Sequence, residues 1–259
     1  MVRLEFLIFA IAMSGGLLAS TVGAQVPAPP GTPGPSTVRA VLASTRLSSV
    51  ADAPRYFKLV RVHLPATQAV TYNGPVGFVL ALDGTLEVTG GAEQQSLAKG
   101  DGALVAEGKG TMFKSASGKP AEFLHFVLST AGELNAPMET PPAVVKELYR
   151  TASPIPGLKP GPYEFTLVRV AFPPRFPLNP PHHRSGAALY YIFSGTGMFT
   201  SNGKTEPRPA GVAQYEPYDL VHQWANPGDE SLVLIQASIN QEGVPAVMSV
   251  QPAAAGSPK

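Results

Sequence analysis

The chain has 259 residues, only 14% of them charged, and a formal net charge of +1, so it has no strong field with which to recruit nucleic acid or an anionic surface. Twenty-eight Pro and 26 Gly beside 44% hydrophobic residues point to an all-β protein of many short strands joined by turns. Cysteine is absent, which excludes a disulfide framework and a lipoprotein-type anchor.

Residues 1–24 read as an export signal: Arg3 supplies a basic start, "FLIFAIAMSGGLLAS" is an apolar core, and Val22-Gly23-Ala24 places small residues at the cleavage position. The alternative is an uncleaved anchor, but a membrane span needs about 20 apolar residues. This run is shorter and contains Gly15-Gly16. The expected mature chain starts at Gln25, periplasmic or secreted, without a stable membrane anchor. From 25 to 36, "QVPAPPGTPGPS" carries five Pro and two Gly, the composition of an extended tether. Ser36 then precedes Val38, Val41 and Leu42, which suit a short helix or an arm packed on a barrel.

An internal duplication organises the rest. "YFKLVRVHLP" from Tyr56 recurs as "EFTLVRVAFP" from Glu164, an offset of 108 residues; Gly84 and Gly195 match at an offset of 111. The second copy has therefore gained about three residues in the stretch that holds its histidines. Alternation marks strands in both copies: Phe78, Leu80 and Leu82 share one face, as do Tyr190 and Ile192. Gly90-Gly91 and Asn202-Gly203 read as hairpin turns, the latter the stronger signal because both of its positions need positive φ.

Between the copies, "TPPAVVKELYR" offers Thr140 as a cap, Pro141 in a first turn and an apolar stripe at Val144, Val145 and Leu148, which predicts a short linking helix. The expected organisation is a first barrel over 37–139, a helical linker over 140–158, a second barrel over 159–245 and a flexible tail over 246–259.

The spacing Gly211, Pro217, Asp219, His222, Asn226 resembles the second motif of the cupin superfamily, G-x5-P-x-G-x2-H-x3-N, with Asp219 in place of the inner glycine. Asp219 either orients His222 as an acceptor or completes that turn, and the turn is preferred. The same frame falls on Gly100, Ala106, Gly108, Thr111 and Ser115 in the first copy, where the ligand-type residues are lost. The resemblance implies a bicupin, two tandem jelly-roll-like barrels in one chain, with degenerate motifs in the first.

The family's first motif, G-x5-H-x-H-x3/4-E-x6-G, supplies two His and a Glu that join the second-motif His on a divalent metal. Counting back from Gly195, the Glu position is Ala188. A spacer of three residues puts the His pair on His182 and Arg184; a spacer of four puts it on Pro181 and His183. In the first copy the Glu position is Gly77, and no metal site is expected there. His63 and His125 read as satisfied barrel histidines, and the first barrel as a structural or dimer-forming partner.

Two functions follow. In one, the second barrel binds a small molecule without an intact metal set, using Arg184, Tyr190, Tyr215 and Trp224; aromatic walls with a guanidinium suit a ring-bearing or carboxylated ligand. In the other, His182, His183 and His222 hold Zn, Fe, Mn or Ni in an enzyme of dioxygenase, isomerase or lyase type, with Tyr190 or Tyr215 as acid. The missing Glu favours binding. Resemblance to so broad a superfamily selects no reaction, and no catalytic residue is assigned. The expected partners are a small-molecule ligand and a second copy in a homodimer, with no nucleic acid.

Overall fold

The computed structural model describes residues 36–116 and 118–250. The export signal, all but the last residue of the tether and the tail beyond 250 lie outside the described residues. The first strand, β1 (Val38–Leu47), is not part of the barrel that follows it in sequence. That barrel contains β2 (Arg55–Leu64), β3 (Ala69–Tyr72), β4 (Gly77–Asp83), β5 (Leu86–Gly90), β6 (Glu93–Leu97), β7 (Gly102–Val105), β8 (Thr111–Ser115), β9 (Ala121–Thr130) and β10 (Val144–Arg150). The second contains β11 (Tyr163–Phe172), β12 (His182–Arg184), β13 (Ala187–Ser194), β14 (Thr196–Ser201), β15 (Lys204–Pro209), β16 (Ala213–Glu216), β17 (His222–Ala225), β18 (Leu232–Gln241) and β19 (Val247–Ser249).

Each barrel is a large sheet of mostly longer strands facing a sheet of shorter ones, five strands against four in the first and five against five in the second. The first pairs β10-β2-β9-β4-β7 with β3-β8-β5-β6; the second pairs β1-β11-β18-β13-β16 with β15-β14-β17-β12-β19. The edge strands are exchanged. β1, ahead of the first repeat, adds to β11 of the second barrel, and β10, ahead of the second repeat, adds to β2 of the first. Two sequence expectations are corrected here. Residues 144–150 form an edge strand in place of a linking helix, and residues 38–47 belong to the second barrel's sheet. The physical reason is common to both. β2 and β11 would otherwise present unpaired backbone at a sheet edge, and β-branched segments such as Val144-Val145 satisfy it as strands. There is no helix among the described residues. A third correction concerns the tail, where β19 pairs with β12 and so orders residues 247–249.

The two large sheets pack face to face, which explains why their strands are apolar on both sides. Phe57, Leu59, Phe78 and Phe126 from the first barrel meet Phe165, Leu167, Leu189 and Ile239 from the second in one shared core. The Phe78 and Phe165 rings lie 4.4 Å apart, and each such side chain contributes about 1.5–3 kcal/mol by leaving water. Alternate residues face inward instead. Val60, Val62, Val79 and Phe123 fill the first barrel with Tyr72 and Phe113. Val168, Val170, Tyr190 and Leu234 line the second with Phe199 and Trp224. The duplicated Leu-Val-Arg-Val segment thus puts its Leu into the shared core and its Val residues into its own barrel. The first barrel is a packing partner for the second.

Turn chemistry follows the sequence closely. Asn202 and Gly203 have φ of 50° and 72° and join β14 to β15 as a two-residue hairpin. The first barrel's counterpart turns at Gly91-Ala92, one residue beyond the expected Gly90-Gly91.

Candidate functional site

The mouth of the second barrel opens on a cavity of about 260 Å³, bounded by Arg39, His182, Arg184, Tyr190, Trp224 and Gln236 over an apolar floor of Val170, Phe172 and Leu234. Seven elements meet here: Arg184 ends β12, Tyr190 is on β13, Trp224 on β17, Gln236 on β18 and Arg39 on β1, with β11 in the floor and β19 at the edge. β16 places Glu216 directly across from Ala188. Directly opposite residues share a face of the sheet, so the small Ala188 side chain leaves the interior of the barrel to Glu216.

Glu216 is fully buried and holds three neighbours. Arg184 Nε donates to its Oε2 at 2.7 Å, Trp224 Nε1 donates to Oε1 at 2.9 Å, and His222 Nε2 stands 3.0 Å from that same Oε1. Burial opposes ionisation of Glu216, but Arg184 and His222 outweigh it and hold the carboxyl down to about 2. Arg184 is itself 2% exposed. Its Nη2 donates to the Tyr190 hydroxyl and, at 3.2 Å, to Gln236 Oε1, while its guanidinium stacks over the Tyr190 ring. Burial pushes the Tyr190 phenol well above its ordinary value, so it stays a neutral hydrogen-bonding group at physiological pH.

The histidines divide between two sides of β12. His182 and His222 are register partners whose ring centroids are 4.3 Å apart, close enough for one ion to reach both. His222 Nδ1 donates to the Leu220 carbonyl at 2.8 Å and His182 Nδ1 to that of Pro180 at 3.0 Å. Burial lowers the pKa of His182 and favours its neutral form. His183 points elsewhere. Its Nδ1 lies 2.7 Å from Asp219, beside Tyr218 and Lys159 in a separate surface pocket. The expectation that three imidazoles gather is therefore corrected, because neighbours on a strand face opposite sides. Asp219 has φ of 63°, so it does complete the turn where the motif has glycine, and its carboxylate serves His183 instead of His222.

Arg184, Tyr190 and Trp224 come together as the sequence suggests. Tyr215 does not. It packs 6.3 Å from Phe57 and 6.2 Å from Tyr149, ring to ring, between the barrels. Glu216, Gln236 and Arg39 were missed. Only Glu216 had a readable signal, since an inward Ala188 requires an inward residue opposite it. In the first barrel His63 is half-exposed, 3.7 Å from Glu122. His125 is buried with its Nδ1 2.6 Å from Glu139, a pair the sequence did not reveal.

The donor set does not fit a divalent metal. No group of three or more His, Cys, Asp or Glu side chains among the described residues could hold one. Any ion at Glu216 would also sit against the fixed charge of Arg184, already bonded to that carboxylate.

Residues 168–237 match the cupin domain family. The second barrel carries a cupin domain. The bicupin fold is also that of AerE from Microcystis aeruginosa, at 15% identity and TM-score 0.50 over 74% of this chain and 96% of that one. A point mutant of Bacillus subtilis oxalate decarboxylase matches at 15% identity and TM-score 0.50, over 79% of each chain. Salicylate 1,2-dioxygenase from Pseudaminobacter salicylatoxidans matches at 10% and 0.50, over 70% of this chain and 71% of that one. None of the curated proteins is significantly similar in sequence. Set on the cupin motif, the inward pair His182 and Arg184 selects the three-residue spacer. A guanidinium stands at the second His position, and the carboxylate comes from the strand opposite the Glu position.

Proposed function

We propose that this bicupin is an exported protein that binds a small molecule in its second barrel without a metal. The observation that carries the reading is the buried Arg184–Glu216 pair, which fixes a permanent side-chain cation in the wall of a cavity that Tyr190 and Trp224 also bound. The polar edge and apolar floor of this cavity are those of a small-ligand site. The 4.3 Å approach of His182 and His222 favours the metal-enzyme alternative, but the charge of Arg184 weighs against it.

Elemental analysis of the mature protein, purified without chelator, should find far less than one transition-metal ion per chain. One ion per chain that is lost in His222→Ala would overturn the metal-free reading. In the same preparation, a small-molecule thermal-shift screen should yield ligands whose effect disappears in Trp224→Ala. Amino-terminal sequencing of the exported protein should begin at Gln25; an uncleaved chain in the membrane would favour the anchor alternative, and a chain found only in the cytosol would remove the export claim.

A further inference from the structure

We propose, on the reading of the second barrel as a metal-free binding site, that its ligand is a small monocarboxylate with a compact apolar or ring-shaped body, clamped at the mouth by Arg39. Arg39 arrives on the exchanged strand β1, where its register partner is Val170, a floor residue of the same cavity. Its Nη2 donates at 3.2 Å to Gln236 Oε1, the oxygen that Arg184 Nη2 also reaches at 3.2 Å. The Gln236 amide is oriented by its own donation to Ser238 Oγ at 2.9 Å, so this one neutral oxygen lies between two guanidinium groups.

The balance of charge favours one negative group. Glu216 neutralises Arg184, whereas Arg39 makes no ion pair among the described residues, and no Asp or Glu lines the cavity. Arg184 also keeps one buried terminal nitrogen, Nη1, with no protein acceptor. A carboxylate is a far stronger acceptor than the Gln236 amide, and its two oxygens match the fork of a guanidinium. Thr37, Asn179, His182 and Ser249 add polar groups to the wall but no acid, while Val170, Phe172, Trp224 and Leu234 give it an apolar side that suits a body without further charge. The cavity of about 260 Å³ lies below the roughly 300–1,000 Å³ typical of drug-sized ligands, which limits that body to about one ring.

The test is isothermal titration of the full mature chain with benzoate, cyclohexanecarboxylate, benzamide and inorganic phosphate, on wild type, Arg39→Gln and Arg39→Lys. The two carboxylates should bind about tenfold or more tightly than benzamide, their neutral counterpart, and Arg39→Gln should lose about that factor. Arg39→Lys should recover part of it. The melting temperature should move little in either variant, because Arg39 lies on an exposed edge strand and its one side-chain bond goes to a Gln236 oxygen that Arg184 also reaches. Equal binding of benzamide, or undiminished binding by Arg39→Gln, overturns the carboxylate clamp. Tighter binding of phosphate overturns the apolar body. If both carboxylates fail while neutral compounds still bind through Trp224, the ligand class is wrong and the binding site stands. If nothing binds in the cavity, both readings fall.

Discussion

Each barrel buries one carboxylate, and the two are treated differently. In the first, Glu139 comes from the connection after β9, faces a single imidazole, His125, and pins that connection over an interior filled by Tyr72, Phe113 and Phe123. In the second, Glu216 comes from a barrel strand and is shared by Arg184, Trp224 and His222, with a cavity beside it. One scaffold thus serves as a packing block when aromatic side chains fill its interior, and as a site when a carboxylate in the wall holds a cation beside a cavity.

The sharpest way to break this contrast is to remove the two carboxylates in turn. Glu216→Gln strands the Arg184 guanidinium in the interior and should cost about 3–5 kcal/mol in denaturant unfolding. The double change Arg184→Met with Glu216→Leu should recover most of that loss, since no unpaired charge then remains. A loss below about 1 kcal/mol in the single variant would mean that the charge is solvated. Glu139→Gln, which removes a carboxylate from a neutral-capable partner, should cost less, about 1–3 kcal/mol, by the same measurement.

A common feature of the barrels sharpens the comparison. A Cβ on Gly186, just before β13, would lie 1.9 Å from the Ile239 carbonyl oxygen, and one on Gly77, at the start of β4, would lie 2.3 Å from that of Phe126. Backbone cannot retreat as a flexible side chain can. Gly186→Ala and Gly77→Ala should therefore each destabilise by about 1–3 kcal/mol, and a silent substitution in either would show that its barrel can relax there.

A further difference lies in pH dependence. Glu216 is held at about 2 against an ordinary 4.5, so the unfolded chain takes up its proton first. Stability from this group is fully present above about 4.5 and is lost as pH falls through about 2. His182, lowered from its ordinary 6.5, adds a shallower loss as pH falls below that value. The acid limb measured by urea unfolding between pH 5 and pH 2 should be steeper in wild type than in Glu216→Gln. Equal slopes would locate the acid sensitivity elsewhere.

The duplication, the Asn202-Gly203 hairpin, the Asp219 turn and the shared faces of Tyr190 with Ile192 and of Trp224 with His222 are legible in the sequence, whereas the choice between His182 and His183 stays open there and is decided by register with His222. Each follows from a local rule, either the two-residue period of a strand or the backbone demands of a turn. Tyr215 was misjudged because the inward face of β16 was counted from Pro217, which lies beyond the end of the strand. Register with Ala188 makes the adjacent Glu216 the inward residue.

The amino-acid sequence by itself determined that there are two barrels, that the second carries the better preserved motif, and that no acid stands at the expected ligand position. Only the tertiary structure decided what occupies that interior. Glu216 enters from the opposite strand, Gln236 from the last long strand, and Arg39 from a strand exchanged across the whole first repeat. Cross-strand neighbours are set by pairing over long sequence separations, so local spacing can call for an inward residue opposite Ala188 but does not name it.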